Sequence, residues 1–296
     1  MLQRAAPVVF VLLWSTGFIG SKLGADDAEP FTFLALRFLI VLALLWPVAL
    51  VAGRRTRGWA ERGHAMVAGM LIHGAYLGGV FWAIRHGMPA GVAALIVSLQ
   101  PVLTSLFAGP LLGERLTTRH WLGLFLGLAG ALLVLEPGLR GALAIGSGIT
   151  VATVAATVCA LLGITAGTLW QKRFATGTDL LAGTIWQYVG ALALIGAGSL
   201  AFETRVIDWT PKFVFALGWL VLVLSIGAIF LLMLLIRQNA VSSVSGLFYL
   251  VPACTSVIAF LMFGETLTLP QLAGLVLATL AVLMISGVRF PRRAPV

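Results

Sequence analysis

The sequence predicts an all-α polytopic membrane protein, with ten transmembrane helices arranged as two inverted five-helix repeats. Three observations carry that expectation. The chain is 60% hydrophobic and only 10% charged, with a mean hydropathy of +1.06, whereas a soluble domain carries about 25% charged residues. Its apolar runs are about 20 residues long, the length that crosses a ~30 Å hydrocarbon core at 1.5 Å per residue. Finally, the stretch 242–287 echoes 93–135 at an offset of 151 residues. Pro101 falls on Pro252, Gly113 and Glu114 on Gly264 and Glu265, Leu116 and Thr117 on Leu267 and Thr268, and Gly123 on Gly274. Apolar runs resemble one another by chance, but identities inside a charged turn at one offset mark a duplication.

The spans read in order as roughly 7–24, 31–52, 65–84, 88–110, 120–136, 146–170, 179–201, 212–235, 240–263 and 270–288. The joins are short and hold most of the charge, so neighbouring spans run antiparallel and no soluble domain is interposed. Arg4 and the first apolar run lack a convincing A-x-A-like cleavage site, so that run reads as a retained first span. Gly138, Gly141, Gly146 and Gly148 blur the start of the sixth. Cys159 and Cys254 lie inside apolar runs and read as small hydrophobes.

Orientation follows from Lys and Arg. With a cytoplasmic N-terminus the inner segments hold thirteen of them, against five in the outer segments, and Arg37 is left inside a span. The positive-inside rule then places both termini in the cytoplasm. The net charge of +9 fits anionic membrane lipids rather than nucleic acid, because the basic residues are few and sit between apolar runs.

Five spans per half is an odd number, so the second half enters the membrane from the opposite side. Inverted repeats of this kind underlie alternating access in many secondary transporters. The offset holds elsewhere: Arg37 aligns with Gln187 at 150, and Ile84–Arg85 with Ile236–Arg237 at 152. Trp14 meets Gly163 at 149, a weaker match. Gly123 and Gly274 lack a Cβ at equivalent places, nine residues after their turn glutamates, and read as points of close helix approach.

Four features together resemble the EamA-type branch of the drug/metabolite transporter superfamily. They are WSTGFIGSKLG at 14–24, ALRFL at 35–39, the segment from Pro101 to the GERLT turn, and its twin from Pro252 to the GETLT turn, all in the expected order. The resemblance covers essentially the whole chain, as repeats 1–140 and 141–296. It implies a ten-helix inner-membrane carrier of small metabolites, often an exporter of amino acids, driven by a proton or substrate gradient. Trp14 and Lys22 match the family's first-helix pattern, Arg37 its second-helix arginine, and Glu114 and Glu265 its turn glutamates. Gly163 and Gln187 stand where the first half has Trp14 and Arg37, so a central site would be asymmetric. A sugar-phosphate, nucleotide-sugar or drug carrier of the same fold is the alternative, and a channel or scaffold a further one. The expected state is a monomer or weak dimer, with proton coupling allowed.

Candidate site residues are the polar groups within apolar runs. Arg37 lies about 10 Å into its span at 1.5 Å per residue. A charge there must snorkel, pair or line a wet cavity; Glu29 or backbone carbonyls are the alternatives to a substrate. Gln187 would answer from the other half. Trp14, Tyr76, Gln100, Trp170 and Tyr249 could stack on or hydrogen-bond a substrate. His73 could relay a proton or simply pack. Pro101 and Pro252 each remove a helix donor and would free carbonyls near Val97 and Phe248. Glu114 and Glu265 read as caps of their own turns. The sequence has no HExxH, GxSxG, GxGxxG, P-loop or CxxC and no pair of membrane-embedded acids for a metal. No enzyme, cofactor or metal is therefore expected.

Overall fold

The structure is a computed structural model that describes residues 2–24, 26–56, 58–144, 148–263 and 268–285. Among these the chain is helical apart from short joins and one isolated β-bridge. The helices are numbered α1 (Leu2–Gly24), α2 (Pro30–Val51), α3 (Trp59–Arg85), α4 (Val92–Leu112), α5 (Thr118–Ala144), α6 (Val151–Phe174), α7 (Leu180–Phe202), α8 (Pro211–Gln238), α9 (Val241–Ile258) and α10 (Leu269–Ile285). Eight, α2 to α9, are long and apolar enough to cross a membrane, while α1 and α10 hold the shorter apolar stretches Ala5–Gly17 and Leu269–Ile285. Large apolar side chains such as Leu50, Phe125, Leu200, Phe202 and Leu222 point outward with more than half of their surface exposed. Water would penalise so extensive an apolar exterior; lipid does not.

The helices start where the sequence supplies acceptors. Asp179 accepts from the amides of Leu181 and Ala182 to cap α7, Thr210 caps α8 through Phe213, and Thr150 with Thr153 forms a capping box on α6. Four helices are not regular throughout. In α3 and α8, π-turns occupy Met70–Ala75 and Leu220–Ala228. In α4 the helix breaks at Ser98–Leu99, and in α9 a 3-10 turn occupies Leu247–Tyr249. Counted from α1 and from α6, these are the third and fourth helices, so the irregularities recur at matching places along the chain.

Packing mixes the halves. α2 and α3 both lie against α7, and α3 lies against α6, an arrangement like that of inverted repeats. The most extensive seam joins α5 to α10. There Gly123 faces Ala281, Met284 and Ile285, while Gly274 faces Gly130 and Val134, so a Cβ on either would fall within 3.1 Å of its neighbours. The two glycines thus occupy opposite ends of one seam. Close approach also governs α3 against α7, where a Cβ on Gly69 would overlap the Gln187 backbone and one on Gly190 would overlap Met66.

Candidate functional site

Five helices meet where that α3–α7 crossing lies. From α2, Arg37 enters the core with 6% of its surface exposed, and its Nε donates to Ser225 Oγ at 2.7 Å. Ser225 is the single hydroxyl of the apolar π-segment in α8. From α7, the Tyr188 hydroxyl donates to the carbonyl of the same Ser225 at 2.8 Å. From the π-turn of α3, His73 stacks on the Tyr188 ring at 4.8 Å and 10°. Its Nε2 lies 3.2 Å from Gln187 Oε1. Gln187 Nε2 in turn donates to Gln171 Oε1 of α6 at 3.0 Å and faces Met233 Sδ at 3.2 Å. Arg37, His73, Gln187, Tyr188, Gln171 and Ser225 are all buried. A π-turn carries one extra residue per turn and occurs often at functional sites; here the two π-segments present His73 and Ser225 to one cluster.

Magnitudes say what Arg37 is not. Placing arginine at the centre of a membrane helix costs about 3 kcal/mol on insertion scales. One hydrogen bond to a charged group returns about 1.5–3 kcal/mol. Its bond to Ser225 therefore does little more than offset its burial. The clamp to Glu29 considered above does not form: Glu29 Oε2 instead accepts from Thr204 and Arg205.

A narrow cleft with a free volume of about 10 Å³, lined by Gln171, Thr178, Asp179, Gln187, Met233 and Arg237 among others, runs from the α6–α7 turn to the Gln187 end of the cluster. That is room for about one water, so the passage is nearly shut. At the opposite ends of these helices the joins 26–29 and 203–210 are tied across the halves. Glu203 accepts from the amides of Phe31 and Thr32 at 2.8 and 2.6 Å and so caps α2. Asp27 accepts from the Asp208 amide, and Ala28 bridges Ile207. The bonds to Glu29, first that of the Thr204 hydroxyl, hold its carboxyl below the usual range. At the cleft end the corresponding joins share one exposed ion pair, Arg54 to Asp179 at 3.3 Å.

The remaining candidates disperse. Gln100 Nε2 donates to Thr104 and Ser245 at 3.0 and 3.2 Å, linking α4 to α9, and its Oε1 is buried without a partner. Tyr249 lies against Gly127 of α5, its hydroxyl also unpartnered. Trp14 packs edge-on against Phe248 at 5.2 Å. Trp170 packs with tilted rings against Phe174 and His64 at the end of α6, and Tyr76 is buried in the main core. Pro101 sits in the first turn of the second segment of α4, where a missing N–H is harmless. The carbonyl of Phe248, expected to be freed by Pro252, is bonded within the 3-10 turn.

Glu114 corrects the expectation of a local cap. It reaches the other half and accepts from the Val241 amide at 2.6 Å and from the Ser242 hydroxyl at 2.6 Å, capping α9. A helix N-terminus with its unpaired amides attracts a carboxylate more strongly than its own turn does. Glu265 lies outside the described residues. The sequence reading missed Ser225, Gln171, Tyr188's tie to Ser225 and Glu203. Ser225 had a legible signal, as a lone hydroxyl in LVLVLSIGAIF; Gln171 was masked by the basic pair beside it. No cluster of metal-ligating side chains is present among the described residues.

A model described as the EamA-like transporter family matches residues 6–136. An uncharacterized transporter of Bacillus subtilis, YvbV, is 27% identical over 93% of this chain and 88% of its own. A probable amino-acid metabolite efflux pump of Escherichia coli is 26% identical over 91% of this chain and 90% of its own. An uncharacterized inner membrane transporter of Escherichia coli, YedA, is 24% identical over 93% and 87% respectively. A solved crystal structure superposes with a TM-score of 0.78 at 20% identity, covering 96% of each chain. The chain thus has an EamA-like polytopic transporter fold, carrying no catalytic or metal-binding signature among its described residues.

Proposed function

We propose that this protein is a secondary transporter that exports amino acids or similar small amphipathic metabolites across the inner membrane by alternating access. The observation that carries the reading is the buried cluster, to which α2 and α3 of the first half bring Arg37 and His73 and α6, α7 and α8 of the second bring Gln171, Gln187, Tyr188 and Ser225. Nothing in a purely structural bundle requires polar groups from both halves to meet at depth, where each costs free energy. The relatives described as an efflux pump and as an inner membrane transporter support the cargo and the location.

In this reading residues 1–140 and 141–296 are two inverted repeats of five spans, with both termini cytoplasmic. The joins tied by Glu29 and Glu203 are the closed outer end, and the cleft beside Asp179 is the cytoplasmic approach. Rocking of one half on the other exchanges the two. His73 is the group through which a proton gradient would act, since its imidazole joins the path at Gln187. The path further takes in Gln100, Tyr249, Trp14, Trp170 and Tyr76, with Pro101, Pro252, Glu114, Glu265, Gly123 and Gly274 as hinge and seam elements. The protein acts as a monomer or weak dimer.

The test is a counterflow screen of metabolites in proteoliposomes, with and without an imposed pH gradient. Saturable exchange of an amino acid or related compound, altered by the gradient, is the expected result. No exchange of any compound by correctly folded protein would overturn the reading.

A further inference from the structure

A guanidinium carries five N–H donors in a planar fork and cannot shed its charge. In Arg37 the donor on Nε is used by Ser225, and the four on Nη1 and Nη2 meet no acceptor among the described residues. Neither Nη is sealed away from all access, since the buried unpartnered nitrogens and oxygens do not include them. No described carboxylate is within ion-pair distance of Arg37. In the joins 26–29 and 203–210 Glu29 is held by Thr204 and Arg205 and Glu203 by Phe31 and Thr32, while Asp26 pairs with Lys212 and Asp27 accepts from Thr210.

The fork is held rather than loose. Ser225 accepts from Nε through its hydroxyl, while its carbonyl accepts from Tyr188, whose ring is covered by His73. One side of the guanidinium is fixed and the other is left with parallel donors, the geometry that matches a carboxylate bidentately. It is also the only cation of the cluster at neutral imidazole, so it neutralises one negative charge and no more.

We propose that the Nη fork of Arg37 is the anion subsite of the transport path, and that it takes one carboxylate of a monoanionic or zwitterionic substrate. The inference rests on the carrier reading above and narrows its cargo. Compounds whose carboxyl is replaced by an amide lose the bidentate contact and are excluded, as are dianionic phosphates, for which the site provides one cation too few.

Phenylglyoxal modification of Arg37, followed by peptide mass spectrometry on the purified full chain, tests this. Modification is measured alone, with an excess of a mixture of α-amino acids and short monocarboxylates, and with the matching amides. The carboxylates are expected to slow modification about tenfold, the scale of a charge-assisted bond, with the amides without effect. Equal rates with acids and amides, or an Arg37 that phenylglyoxal never reaches, would overturn the proposal. If protection is seen while the exchange screen finds no transport, the carrier reading fails and the subsite stands. Exchange with an unprotected Arg37 removes the subsite alone.

Discussion

At the scale of single residues, Arg37 and Glu29 stand in contrast: the first keeps donors for a partner, and the second is already held. Arg37→Lys keeps the charge but loses the planar fork and the Nε bond to Ser225. Transport is expected to fall on the order of tenfold, as loss of a bidentate charge-assisted contact implies, with membrane abundance unchanged. Unaltered kinetics would leave Arg37 as packing. Glu29 behaves differently, because its bonds to Thr204 and Arg205 are made by the ionised form. Its pKa is lowered, chiefly by the Thr204 hydroxyl. A lowered folded-state pKa means the stabilisation is present above the ordinary carboxylate value of about 4.3. It is lost only as pH falls through the still lower folded value. Protection of the Thr204 and Arg205 amides, taken relative to intrinsic exchange at each pH, should therefore be high at neutral pH and be lost below the ordinary carboxylate value of about 4.3. In Glu29→Ala that protection should be about tenfold lower even at neutral pH.

At the scale of elements, the α5–α10 seam converts an expected pair of glycines into a mechanical statement. Gly123 near the start of α5 touches the end of α10, and Gly274 near the start of α10 touches the later part of α5. The helices are antiparallel, so a wedge at either glycine pries apart a different end of one contact. Gly123→Leu and Gly274→Leu should bias the carrier toward opposite facing states. The measurement is accessibility of a cysteine placed at Gln100 from each side of the membrane. Shifts in the same direction would rule out the inverted-half reading, and low folded yield in both with no change in facing would mark the glycines as structural only. Glu114 belongs to this scale too, since it carries a helix cap from one half to the other.

At the scale of the whole molecule, the joins at both ends are tied, by different groups. One end is held by Glu29, Glu203 and a β-bridge; the other is held by Glu114 on the start of α9, by Lys172 and Arg237 on backbone carbonyls, and by the exposed Arg54–Asp179 pair, which contributes little in water. The charge bias assigns the end with Glu29 and Glu203 to the outside. Single cysteines at Asp26, Arg57, Arg205 and Arg292 in a Cys-free background, probed in intact cells with an impermeant maleimide, should label at the first and third only. Labelling at position 57 would reverse the orientation, and with it the assignment of the outer end.

The sequence by itself determined that this chain spans membranes as helices and that its second half echoes its first. Both follow from local quantities, apolar run length and a repeated turn, that need no partner to be read. It also singled out Arg37, His73 and Gln187 as polar groups out of place in apolar runs. Only the tertiary structure decided which of them meet. His73 reaches Gln187 because Gly69 lets α3 and α7 touch, and Ser225 reaches Arg37 from a π-turn in α8. Such turns arise from the packing of neighbouring helices rather than from a residue pattern, so no spacing in the chain announces them. Glu114 shows the same limit: its turn is written locally, but the amides it satisfies lie 127 residues away.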